Sequence, residues 1–287
     1  MRTRNTTIGG VLLSAALILG GCSSGTGGAA DPTDTNTSSS DSSAAASSDA
    51  VAETDEVTLY VVRHGKTMLN TTDRVQGWAD APLTPEGEDV VEAAGRGLAD
   101  VEFQAAYSSS SGRAYQTAEI ILENSETSAD LEVNHDDRLR EFNFGTYEGD
   151  LNETMWTDIA DSRGITLEEF MESVGPEEFA NSVAELDKAR PESEGNWPAE
   201  DYDTIVERLD ASIDDIVETE SAKGSGNVLI VSHGLSIQAL VKHLFPDFDM
   251  GGGGVANAAV TIITYKDGEY SLESFNDTSF IENGENG

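Results

Sequence analysis

The chain has 287 residues, with 16 Lys and Arg against 54 Asp and Glu, for a formal charge of -38. That excess of acid excludes general nucleic-acid binding, which needs clustered cations against phosphate, and it repels anionic membrane surfaces. One Cys excludes a disulfide framework within the chain, and a hydrophobic share of 38 %, low for a globular chain, implies that part of it builds no core.

In chain order, Arg2 and Arg4 precede an uncharged, mostly apolar stretch from Gly9 to Gly20, and Leu19-Gly20-Gly21-Cys22 sets small residues directly before the Cys. This is the layout of an export signal, too short to prefer spanning a bilayer permanently. It resembles a bacterial lipoprotein signal. The resemblance implies that residues 1–21 are removed and that Cys22 carries the lipid. It also implies that the mature chain is held on the extracytoplasmic face of the cell membrane. Two or more acyl chains would anchor it stably. An ordinary secretory signal with an incidental Cys, or an uncleaved anchor, is the alternative. Loss of 1–21 removes two Arg and no acid, so the charge deepens to -40. Residues 22–56 are rich in Ser, Thr, Ala, Gly and Asp and hold no aromatic residue. Such a segment cannot bury enough apolar area to offset its ordering entropy, so a disordered tether is expected.

A folded domain is expected over 57–281, with a short tail at 282–287. Residues 57–62 form a β-rich apolar run that predicts a buried strand. Thr84-Pro85-Glu86 is a helix start: Thr caps, Pro occupies the first turn, and Glu meets the positive end of the dipole. That helix is expected to reach about Ala99. A strand at 105–108, a helix at 112–122 and a weaker strand at 131–134 follow. Residues 149–199 look acidic and irregular, with short helical stretches such as 167–174. A long amphipathic helix is predicted over 202–220, from Tyr202, Ile205, Leu209, Ile213 and Ile216 at helical spacing. Then come a buried strand at 227–232, a helix at 236–244, and a hairpin of 260–265 with 269–275 around Asp267-Gly268. Alternating strands and helices predict a three-layer α/β/α domain with a mostly parallel central sheet, and 149–199 as a mainly helical or irregular excursion over one end.

Two strand ends carry the chemistry. Ligands of open α/β sheets sit beyond the C-terminal ends of strands. His64 and His233 each follow a buried strand directly, and each precedes a Gly, which lets backbone approach a ligand. Arg63, in a chain so poor in cations, argues for an anionic ligand.

Five segments, in order, resemble the histidine phosphatase superfamily with its phosphoglycerate mutase-like fold. They are Arg63-His64-Gly65-Lys66-Thr67 with Asn70, Gln76-Gly77-Trp78 running on to Thr84-Pro85-Glu86-Gly87, Ser110-Ser111-Gly112-Arg113, Leu139-Arg140-Glu141-Phe142, and Ser232-His233-Gly234. The resemblance implies that His64 is the nucleophile and transiently carries the phosphoryl group. It implies that Arg63 and Arg113 clamp the phosphoryl oxygens, that His233 completes the pocket as a cation, and that Glu141 passes the proton to the leaving oxygen. Asn70, Gly77 and Gly234 are the expected substrate-binding positions. A small phosphorylated substrate is implied, with no metal and no cofactor. Lys66 departs from the family, which usually has Glu or Gln there; the expectation is that it faces solvent. His135 and His243 are expected to be structural or solvent-facing, and Trp156 and Trp197 to pack in the core or a lid.

A mutase must retain a bisphosphorylated intermediate, which calls for extra cations. Residues 146–200 hold three, Arg163, Lys188 and Arg190, against fifteen acids. This favours net hydrolysis of a phosphomonoester. A mutase-like phosphotransferase and a non-catalytic surface protein that binds phospho-ligands are the alternatives.

Overall fold

A computed structural model describes residues 55–193 and 195–286. The expected signal, Cys22 and nearly all of the tether lie outside them.

The sheet has six strands in the order β3-β2-β4-β1-β5-β6. They are β1 (Val57–Arg63), β2 (Phe103–Ser109), β3 (Val133–Asp136), β4 (Gly226–Ser232), β5 (Val260–Lys266) and β6 (Glu269–Asp277). Strands β3, β2, β4 and β1 run parallel, whereas β5 pairs antiparallel with β1 and with β6. The sheet is therefore mixed and mostly parallel, as expected of the α/β class. The weak third strand starts two residues later than its composition suggests.

Side chains alternate across each strand, and the two faces of β1 and β4 build separate cores. Leu59, Val61, Val228 and Ile230 pack under α7 (Tyr202–Ser221) and α8 (Gly234–Leu244), through Ile213, Ile216, Ile237 and Val241. Val62, Leu229 and Val231 pack under α2 (Pro85–Gly97) and α3 (Gly112–Glu123), through Val91, Ala94, Ala118 and Ile121. The start of α2 follows its sequence: Thr84 Oγ1 accepts from Gly87 N–H, and Pro85 takes the first position.

The excursion is helical, as expected, but more regular, and the C-terminus differs from expectation. Residues 149–199 are mostly regular helix, with α4 (Asn152–Arg163), α5 (Leu167–Ser173) and α6 (Pro176–Ala189) around Met155, Ile159, Phe170, Phe179 and Val183. The start signals were present: Thr166 and Glu169 form a reciprocal capping box, and Pro176 opens α6. Scattered acids hid the apolar stripes. The last residues, expected as a tail, belong to α9 (Ser279–Asn286), which lies on α2. Arg96 Nε donates to Gly284 O at 2.9 Å. The contact needs glycine on both helices: a Cβ at Gly97 would lie 1.9 Å from Phe280 O, and one at Gly284 would lie 1.8 Å from Ala93 O.

Candidate active site

Parallel pairing of β1 with β4 sets Arg63 opposite Ser232, so the two His-Gly corners leave the sheet side by side. The imidazoles of His64 and His233 stand 5.1 Å apart, centroid to centroid. His64 N–H donates to Ser232 O at 3.0 Å, its carbonyl accepts from Asn257 Nδ2 at 2.9 Å, and Gly65 N–H donates to Thr117 Oγ1 at 3.0 Å. A Cβ at Gly65 would be 2.5 Å from Val91 Cγ2, so this corner packs onto α2 only as glycine.

Nδ1 of His64 lies 2.8 Å from Gly65 O. A carbonyl only accepts, so Nδ1 carries the proton and Nε2 keeps its lone pair. That is the tautomer a nucleophile requires. Burial, and next the Arg113 and Arg63 charges, hold the ring well below the usual imidazole range. His64 is therefore neutral around pH 7.

Arg63 Nη1 donates to Val255 O, while its Nε is buried without a hydrogen-bond partner. Arg113 is fully buried at the start of α3. Its Nη1 binds Asp80 Oδ1 at 2.9 Å and Ala79 O at 3.1 Å, and its Nη2 binds Gly77 O at 2.8 Å. The protein thus uses much of the Arg113 fork, and Nη2 retains one N–H for a ligand. Burial lowers the pKa of both guanidinium groups; Glu141 opposes this at Arg63, and Asp80 opposes it at Arg113.

His233 follows β4 and is fully buried, its Nε2 lying 2.8 Å from Ser109 Oγ at the end of β2. Its Nδ1 is buried without a partner. The expected cation is not found here. Burial, then Arg113, His64, Arg208 and Arg63, hold His233 well below the usual imidazole range, so it is neutral. Its role in the free site is that of a neutral hydrogen-bonding ring.

A stability prediction follows. Both rings are neutral when folded but free to protonate when unfolded, so the unfolded chain binds more protons below about pH 6.5. Stability is complete above that value and is lost as pH falls towards the depressed folded values. Each ring contributes a slope of up to about 1.4 kcal/mol per pH unit. Urea midpoints in phosphate-free buffer should fall steeply from pH 6.5 to 5, and His233→Gln should flatten that fall. An unchanged slope would contradict the buried neutral pair.

Glu141 is buried and faces the first turn of α8. Its Oε1 accepts from Phe142 N, Ser236 N and Ser236 Oγ at 2.9–3.1 Å, and its Oε2 accepts from Leu235 N at 3.0 Å. The helix N-terminus suits a carboxylate, and Oε2 keeps acceptor capacity for one more proton donor. Asn70 spends its Oδ1 on Thr67 N–H at 3.1 Å, in the cap of the short helix α1 (Met68–Thr71). What it can offer a ligand is its amide nitrogen.

Arg63, Asn70, Glu141 and Gly234 line one cavity of about 470 Å³. Its walls include α4, α5, α6 and the run Gly251-Gly252-Gly253-Gly254. Gly234 lies against the guanidinium of Arg63, which a Cβ would approach to 3.3 Å. Like His64, Arg113 and His233, Gly77 is not among the residues that line the cavity. Its N–H donates to Glu148 Oε2 and its carbonyl holds Arg113, so it positions the clamp. Lys66 pairs at the surface with Glu86 at 3.0 Å. His135 is exposed beside Tyr115, and His243 lies 3.3 Å from Asp210. Trp156 lines the cavity while packing on the excursion core, and Trp197, 63 % exposed, packs edge-on to Trp78.

Several positioning groups carry no signal in the sequence. Glu148 accepts from Gly77, Trp78, Ala79 and Phe144 N–H, and so shapes the loop that holds Arg113. Arg208 donates to the carbonyls of Arg138, Arg140 and Glu141. Ser109 and Asn257 steady the two histidines. No local motif marks such residues, because each acts on a distant segment. Among the described residues, no cluster of His, Cys, Asp and Glu could hold a metal ion.

The histidine phosphatase superfamily (branch 1) matches residues 59–278. The solved phosphoglycerate mutase from Bacillus anthracis str. Sterne is 41 % identical, with a TM-score of 0.74 over 81 % of this chain and 98 % of that one. The 2,3-bisphosphoglycerate-dependent phosphoglycerate mutase of Cytophaga hutchinsonii is 31 % identical over 65 % of this chain and 76 % of its own. The fructose-2,6-bisphosphatase TIGAR B of Danio rerio is 33 % identical over 66 % of this chain and 75 % of its own. The chain belongs to the histidine phosphatase superfamily, branch 1. It is an enzyme of that family, which spans phosphatases and mutases.

Proposed function

We propose that this chain is a phosphomonoester phosphatase, tethered by lipid on Cys22 to the outer face of the cell membrane. The observation that carries the catalytic part is the buried trio at the strand ends. His64 presents a free Nε2, while Arg63 Nε and His233 Nδ1 are buried beside it without partners. Buried polar atoms are rarely left so, and a tetrahedral anion with several acceptor oxygens would satisfy both.

His64 Nε2 attacks phosphorus, and the bond from phosphorus to the ester oxygen breaks. Glu141 relays the hydroxyl proton of the monoanionic phosphoester through Oε2 to the departing oxygen. Arg63, Arg113 and the Asn70 amide hold the equatorial oxygens, where charge concentrates. Water then attacks the phosphohistidine, and Glu141 takes the proton that water loses. The P–N bond breaks, releasing phosphate and restoring neutral His64.

Hydrolysis rather than mutase transfer is supported by charge. Among the residues lining the cavity the cations are Arg63 and Arg74, and Arg74 Nη1 is committed to Gly149 O at 2.7 Å. A second phosphate would find little to neutralise it. The similarity to phosphoglycerate mutases makes transfer the second reading. Phosphate release from phenyl phosphate without a bisphosphate primer tests the choice. Steady release supports the phosphatase; primer-dependent transfer of phosphate between glycerate positions with little net release would establish the mutase instead.

The anchor is supported by the Leu19-Gly20-Gly21-Cys22 layout, which lies outside the described residues. Cells expressing the chain should incorporate labelled fatty acid into it, and Cys22→Ala should lose the label and leave the membrane fraction. Retained label in that variant would overturn the assignment.

A further inference from the structure

We propose that the alcohol or phenol released at this site is apolar, so that the preferred substrate is an aryl or alkyl phosphomonoester whose only anionic group is the phosphate. This rests on reading the cavity as the phosphoester site. The cavity divides by chemistry. Its strand-end side carries Arg63, Asn70, Glu141 and Leu235, whose N–H meets Glu141 Oε2, and the excursion lends Met155, Trp156, Phe170, Val174 and Phe179. Those excursion groups come from α4, from α5 and its C-terminal cap, and from α6, and they continue the buried core of the excursion. They are therefore a preformed wall.

Polar lining away from the strand ends is sparse. It consists of the neutral amides Gln76, Asn152 and Gln238, with Gln238 Nε2 meeting Gly253 O at 3.3 Å, and of one cation, Arg74, its Nη1 on Gly149 O at 2.7 Å. The run from Gly251 to Gly254 adds wall without side chains, and a Cβ on any of the four would meet no atom within 4 Å. That side contributes width and no charge. A leaving group rich in hydroxyls would lose water against Met155 and Phe170 without gaining partners, which is costly. A leaving group with its own carboxylate or phosphate would find one cation beyond Arg63, the exposed Arg74, whose Nη1 is already held by Gly149 O at 2.7 Å. An alkyl chain or aromatic ring meets neither penalty and gains contact. Each fully buried methylene is worth about fourfold in affinity.

Non-hydrolysable phosphonates separate this proposal from the hydrolase reading, because binding needs no turnover. Wild-type enzyme in phosphate-free buffer would be titrated calorimetrically with methylphosphonate, hexylphosphonate and 3-phosphonopropionate. The expected result is a Kd at least tenfold lower for hexylphosphonate than for methylphosphonate, with 3-phosphonopropionate no tighter than methylphosphonate. Equal affinity for the two alkyl compounds, tightest binding of 3-phosphonopropionate, or no binding of any of the three would overturn the proposal. Met171, on α5 at the cavity wall, is 54 % exposed, so Met171→Glu should keep the fold. It should reduce the hexyl-to-methyl ratio at least threefold, and an unchanged ratio would also overturn the proposal. Phosphate release from phenyl phosphate, measured in parallel, reports on hydrolysis alone.

Discussion

Replacing His64 with alanine is expected to cut phosphate release by about four orders of magnitude or more, since the residual rate comes only from binding and charge stabilisation. The other groups of the site are poorer nucleophiles. His233 Nε2 is engaged with Ser109, Glu141 is held at the start of α8, and the remaining groups are guanidinium or amide nitrogens. Wild type quenched into alkaline denaturant during turnover should yield phosphohistidine at position 64, because the P–N bond survives alkali and not acid. The variant should yield none. The fold should persist, since the backbone bonds of residue 64 to Ser232 and Asn257 do not involve the ring. A variant that still turns over at wild-type rate, or wild type with no phosphoenzyme, would remove His64 from the mechanism.

The second large effect is expected at Arg113. Arg113→Lys should lower kcat/KM by about 10²–10³-fold, the loss seen when a positioned donor to developing oxyanion charge is removed. Lysine keeps the charge but cannot reproduce the planar fork that reaches Gly77 O, Ala79 O and Asp80 together. Leaving those acceptors poorly matched should cost about 2 kcal/mol, or roughly 4–8 °C in Tm. Arg113→Met tests the electrostatic part separately. Arg113 leads the charges that depress His64 and His233, after burial. Its loss should let both rings protonate at higher pH, moving the acid limb of kcat/KM upward. Arg113→Lys should leave that limb closer to its wild-type position. If both variants shift the limb equally, the charge of Arg113 does not tune the histidines.

Arg63, His64 and His233 were legible because they occupy rigid local contexts, a buried β run and then Arg-His-Gly or His-Gly, whereas Arg113 and Glu141 were legible only through the resemblance of their segments to the family's. The cap at Thr84-Pro85 was equally plain, since capping is decided within four residues. The excursion was less so. Its helices carry acids on most turns, and its apolar positions become a stripe only once α4, α5 and α6 share a core with Ile205, Leu209 and Ala239. The closing helix was missed because Phe280 and Ile281 gain their burial from α2, far away in the chain.

By itself, the amino-acid sequence determined the order of the six strands and of α2, α3, α7 and α8 among them, the placing of Arg63, His64, Arg113 and His233 at element ends, and the acidic, cation-poor character of the excursion. These follow from composition and short-range spacing. Tertiary structure alone decided that His233 is neutral, that Gly77 serves Arg113 rather than the cavity, that Glu148 and Arg208 support the site, and that one side of the cavity is apolar. Each depends on how deeply a group is buried and on which distant charges or carbonyls face it. The pairing of β1 with β4 sets those distances, and no local stretch of sequence encodes them.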